Sequence, residues 1–158
     1  MDVALLEQLL DETFDHAVVH HGFTDYMRDY QVVIHATADP RTGIEPAYLR
    51  YLFRYCVEAR CETTLSSETW RASLDDRLIE GETGDAGLDG YVWGVKWHAL
   101  YPGARLLPQS DTAGRWRQAV GVDFHEVRID TNAHRLTLVF SDLRVSEVPV
   151  GYAAFVTG

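Results

Sequence analysis

Tyr48-Leu49-Arg50-Tyr51-Leu52-Phe53-Arg54-Tyr55-Cys56-Val57-Glu58-Ala59-Arg60-Cys61-Glu62-Thr63 is the stretch whose reading decides the fold. Leu49, Tyr51, Phe53, Tyr55, Val57 and Ala59 alternate with Arg50, Leu52, Arg54, Cys56, Glu58, Arg60 and Glu62. Successive side chains of a strand point to opposite faces, so this period of two predicts a long, half-buried antiparallel strand, broken at most by a bulge.

Working outward from it, Met27 to Ala38 reads as the preceding strand, with Val32, Ile34 and Ala36 alternating with Gln31, His35 and Thr37. Asp39-Pro40-Arg41-Thr42-Gly43 reads as the turn between the two. Near the start, Leu6, Leu9, Leu10 and Thr13 repeat at helical spacing and Asp2 can cap, which predicts a helix to about Phe14. Ala17 to Phe23 suits a strand through Val18 and Val19, or a continuation of that helix. Beyond the long strand, Ser66 or Ser67 can cap a short helix through about Ile79, anchored by Trp70 and Leu74. Tyr91 to Ala99 alternates as a strand, with Tyr91, Trp93, Val95 and Trp97 on one face.

The C-terminal third carries a short helix from Asp111 to Val120 with Gly121 as its stop. Three strands follow, Phe124–Asp130, Arg135–Ser141 and Leu143–Val148. Thr131-Asn132-Ala133-His134 closes a hairpin between the first two, and the apolar phase slips between Phe140 and Leu143, so a bulge or bend belongs near Ser141-Asp142. Adjacent strands outnumber strand–helix–strand units. The expectation is an α+β domain spanning residues 1–158, with a single mixed or mainly antiparallel sheet of about five to six strands and two to three helices.

Composition narrows the function. The chain has 158 residues and a formal net charge of -10, from 24 acidic and 14 basic side chains. Phosphate backbones are held by Lys and Arg, so this charge argues against nucleic acid as a partner; it suits an acidic solvated surface first, and can also steer a basic protein partner. Cys56 and Cys61 are the only cysteines, and on an extended segment five residues apart they point away from each other. With no disulfide framework, no signal-peptide pattern and no uncharged apolar run of membrane length, a cytoplasmic location without membrane contact is expected.

Catalytic signatures are absent: there is no Walker A run, GxGxxG, GxSxG, HExxH or Cys/His zinc spacing. No catalytic residue, cofactor or metal ligand is assigned. His125, on the Val127/Ile129 face, reads as a satisfied core residue, and Trp70, Trp93, Trp97 and Trp116 read as core. Two surfaces stand out. Glu80, Glu82, Asp85 and Asp89 sit in a glycine-interrupted loop suited to docking a basic partner or simply to solvation. Arg50, Arg54, Glu58 and His98 lie on polar strand faces that form a ligand-binding surface if the strands share a sheet. Otherwise such residues make solvated cross-strand ion pairs.

Thr24-Asp25-Tyr26-Met27-Arg28-Asp29-Tyr30, Tyr51-Leu52-Phe53-Arg54-Tyr55-Cys56-Val57-Glu58-Ala59 and Leu138-Val139-Phe140-Ser141-Asp142-Leu143 resemble the YxiG-like family of small bacterial proteins. The resemblance carries over no catalytic residue. It implies an accessory or immunity-type role. Together these features favour a non-enzymatic protein-binding module, immunity-like, that covers a basic partner. The alternative is a small-ligand binder or enzyme that uses the polar face of the sheet.

Overall fold

The computed structural model describes residues 1–24, 26–36, 41, 43, 45–74 and 98–152. Helix α1 (Val3–Asp11) opens the chain, and the Asp2 carboxylate caps it by accepting a hydrogen bond from the Ala4 amide at 3.2 Å. Leu6, Leu10 and Thr13 bury the stripe that their spacing predicts. Ala17–Phe23 is strand β1 and not a helical continuation. It pairs antiparallel with β2 (Tyr30–Ala36), which pairs with β3 (Ala47–Arg54).

The long alternating stretch is two strands. After β3 the chain steps through Tyr55–Val57 into β4 (Glu58–Thr63). Helix α2 (Ser67–Ser73) follows, capped by Ser66, whose hydroxyl accepts from the Thr69 amide. Then come β5 (His98–Ala99), β6 (Gly103–Leu106), helix α3 (Asp111–Val120), β7 (His125–Asp130), β8 (His134–Phe140) and β9 (Asp142–Val148). The described residues thus form three helices and nine strands in two antiparallel sheets, ordered β5-β1-β2-β3-β9 and β4-β8-β7-β6.

Two sheets replace the single sheet expected, because two neighbouring segments change sheet at the same corner. β3 pairs with β9 and β4 pairs with β8, so the ladder continues across the bend. Arg54 faces Asp142 and Glu58 faces Val139, which places three residues on one side against two on the other. This extra residue is a bulge, and bulges bend and twist a strand enough to turn a corner between packed sheets. The Val57 amide donates to the Val139 carbonyl and the Ser141 amide to the Arg54 carbonyl, so the corner keeps its backbone partners.

The alternation of buried and exposed side chains therefore ends at the corner: Tyr51 and Phe53 are buried, Tyr55 is 41 % exposed, and Cys56 turns into the core in its place. One core lies between the sheets. Ile34, Tyr51 and Phe53 meet Val127, Leu138 and Phe140, and Leu6 and Leu10 of α1 join them. The Phe53 and Phe140 rings meet edge-on at 4.9 Å, tying one sheet to the other.

Other expectations are corrected. Trp70 and Leu74 are not buried as expected but 41 % and 81 % exposed; Trp70 ties α2 to β4 through its indole, which donates to the Thr63 hydroxyl at 2.8 Å, and Thr69 is buried. The short strand β6 carries no alternation of its own to announce it. Of the strand expected from Tyr91 to Ala99, His98 and Ala99 are described and pair with β1, while Trp93 and Trp97 lie outside the described residues.

Candidate functional site

Helix α3 lies on the outward face of the four-stranded sheet. Its first turn is capped by Ser110, whose hydroxyl accepts from the Ala113 amide at 3.1 Å and donates to the Glu126 carboxylate. Both roles fix the hydroxyl in structure, so Ser110 offers no idle nucleophile. Gly121 ends the helix at φ 87°, a left-handed position that suits glycine, and its amide bonds the Arg117 carbonyl. Ala113 and Trp116 seat the helix on Phe124, Val139 and Val57 in a second, smaller core.

Two of the clefts beside α3 share Phe124 as a wall. The first, about 410 Å³, opens between α3 and α1 and is lined by Val3, Glu7, Ser110, Arg117, His125 and Glu126 among others. Arg117 is already paired with Asp123 at 3.0 Å, while Glu7 has no cationic partner among the described residues. Burial lowers the pKa of His125, and its Nε2 is buried without a hydrogen-bond partner among the described residues, so it is not the satisfied core histidine expected. The first cleft therefore presents the Glu7 carboxylate, without an ion-pair partner among the described residues, together with Glu126.

The second cleft, about 360 Å³, lies at the corner between the sheets and is walled by Tyr55, Val57, Val120, Val122 and Phe124. Tyr55 stands there at φ 52°, a conformation disfavoured for a bulky side chain. Its amide bonds the Asp29 carboxylate at 3.0 Å, and the Cys56 amide bonds the Arg28 carbonyl at 2.8 Å. Arg28 and Arg54 stack on its ring at 5.0 and 5.1 Å. Met27, next to Arg28 in sequence, is likewise left-handed at φ 55° and 68 % exposed. Tyr55 and Met27 thus hold large apolar side chains in solvent from left-handed backbone positions.

The residues singled out from sequence do not converge. Arg50 and Arg54 lie on the outward face of the five-stranded sheet. Glu58 lies on the other sheet, where its carboxylate accepts from the Trp116 indole at 2.9 Å. His98 stacks on His134 at 5.2 Å, beside His21 and Cys61 around a cavity of about 30 Å³. Glu80, Glu82, Asp85 and Asp89 lie outside the described residues. Asp130 bonds Arg128 along its own strand and Arg135 across to β8, each at 2.9 Å, but this carboxylate is buried and so differs from the solvated pairs expected of strand faces.

Burial lowers the pKa of His21, His98 and His134 alike, which keeps the imidazoles neutral near pH 7. The Tyr30 hydroxyl hydrogen-bonds His21 Nδ1 at 2.7 Å. Among the described residues, no three His, Cys, Asp or Glu side chains are grouped to hold a metal ion. Burial pushes the Cys56 thiol up to about 12 and raises Cys61, so neither is a thiolate nucleophile at neutral pH. No helix among the described residues is long and apolar enough to cross a membrane.

Sequence reasoning missed both clefts. Each gathers residues from segments far apart in the chain, and the one local signal was the run of acids without Lys or Arg through residues 1–27. Searches among curated proteins and among solved structures returned no match. The family model described as YxiG-like protein matches residues 2–158, and the chain belongs to that family.

Proposed function

We propose that this protein is a non-enzymatic binding module, immunity-like in character, that covers a basic partner along helix α3. The observation that carries this reading is the pair of clefts flanking α3, one acidic and one apolar. Glu7 and Glu126 suit a Lys or Arg of the partner in the first cleft. Tyr55, Val120 and Val122, all more than 40 % exposed, suit an apolar anchor in the second.

The net charge of -10 speeds encounter with a basic surface, and residues 1–27 contribute acids but no Lys or Arg to that field. A protein that grips nucleic acid must present such a basic surface, and an acidic module can occupy it.

Capture from native lysate with the wild-type chain, Glu7→Lys and Tyr55→Gly tests this. The expected result is one basic protein at near-stoichiometric yield on the wild type, depleted on both variants and more readily eluted by salt. A further variant neutralising Glu80, Glu82, Asp85 and Asp89 separates the loop's contribution from that of the clefts. Equal capture by folded wild type and both cleft variants, or no basic protein at low salt, would overturn the proposal.

A further inference from the structure

The outward face of the five-stranded sheet holds buried polar groups without a hydrogen-bond partner among the described residues. Gln31, on the central strand β2, is 0 % exposed, and Val33 beside it is 2 % exposed. Arg50 of β3 faces Val33, and Gln31 faces Leu52, so Gln31 and Arg50 are diagonal neighbours on one face. The Tyr152 hydroxyl lies between them: Arg50 Nη1 donates to it at 3.1 Å, and it donates to Gln31 Oε1 at 3.3 Å.

This chain of bonds sets the direction of the amide. A tyrosine hydroxyl has one proton, and with Arg50 donating to its oxygen that proton goes to an acceptor, which is Oε1. Gln31 Nε2 is left as the unbonded atom of the amide. It is buried and has no hydrogen-bond partner among the described residues, and Arg50 Nε is in the same condition. No carboxylate pairs with Arg50 among the described residues.

Both unmatched groups are donors, and one belongs to a permanent cation. Buried donors left unpaired are costly, and a partly buried guanidinium without a counter-charge more so. The group that answers all three needs is an acceptor with negative charge. We propose that Gln31, Arg50 and Tyr152 form a binding site for a small oxyanion, a carboxylate or a phosphate, on the outward face of the five-stranded sheet. Arg50 supplies the charge, Gln31 Nε2 a second donor, and Tyr152 holds both in place. The site is independent of the clefts along α3 and does not rest on the protein-binding proposal.

The test is calorimetric titration of the full chain with inorganic phosphate and, separately, with acetate and succinate, against chloride at constant ionic strength. Saturable binding of at least one oxyanion is expected, and the arm that binds identifies the phosphate or carboxylate class. Arg50→Met should weaken it by about ten-fold or more, since a charge-assisted bond is lost, and Gln31→Leu should weaken it to a lesser degree. Arg144→Met, which removes an exposed arginine of the same sheet already paired with Asp142, should bind as the wild type does. Should Arg50→Met fail to fold, Arg50→Lys keeps the charge and removes the Nε donor, and weaker binding is again expected. No saturable binding of any of the three oxyanions means that water satisfies these donors, and the proposal falls. Binding that survives every substitution at Gln31 and Arg50 places the anion elsewhere and overturns it equally.

Discussion

Replacing Tyr55 by glycine and by alanine separates what this residue does for the fold from what it does at the surface. Tyr55 adopts φ 52°, where a residue with a Cβ is disfavoured by about 1–2 kcal/mol. Both substitutions remove the ring and its contacts with Arg28 and Arg54, together about 1–2 kcal/mol at an exposed site. Both keep the backbone bond from residue 55 to the Asp29 carboxylate. They differ in the backbone: glycine releases the strain and loses about 0.5–1 kcal/mol to extra freedom of the unfolded chain. Tyr55→Gly should therefore be more stable than Tyr55→Ala by about 0.5–1 kcal/mol.

Urea denaturation of the three proteins, with slopes compared to confirm like transitions, measures the difference directly. Alanine equal to or more stable than glycine would show that the corner does not hold residue 55 under strain, and the case for a preformed contact surface would lose its main support. With the partner in hand, both variants should lose about 2 kcal/mol or more of affinity, roughly 30-fold, as expected for a central aromatic anchor.

Phe140→Ala should cost about 3–5 kcal/mol, because a fully buried ring that bridges the two sheets leaves a cavity, and thermal unfolding should fall by roughly 10 °C; a loss under about 1 kcal/mol would show that the sheets close around the gap. Acid should destabilise the protein before its carboxylates titrate. His21, His98 and His134 have folded pKa values below the ordinary 6.5, so the unfolded chain binds protons first, and their contribution is full above pH 6.5 and lost as pH falls through their folded values. Stability measured from pH 7.5 downward should decline from about 6.5, and His98→Gln should flatten the slope; a level profile down to pH 5 would contradict it.

How much of this was legible in the sequence depends on the range of the force responsible. Helix α3 emerges with the bounds expected, because its cap Ser110, its stop Gly121 and its backbone bonds all act within a few residues. The β7–β8 hairpin and the break at Ser141 are equally local. The Arg50–Tyr152 contact spans 102 positions, and nothing near either residue announces it.

The stretch from Tyr48 to Thr63 shows the division most clearly. Its alternation is a property of strand geometry and correctly implies extended, half-buried backbone. An alternating segment reads the same whether it stays in one sheet or crosses to another, since only its pairing partners differ. Here β9 holds the first half and β8 the second, and the bulge at Tyr55–Val57 lets the ladder turn. That turn separates Arg54 from Glu58, exposes Tyr55 and opens the cleft beside α3. The sequence by itself determined where backbone is helical or extended; only the packing of distant strands decided which residues share a surface, because that depends on contacts between segments rather than on spacing within one.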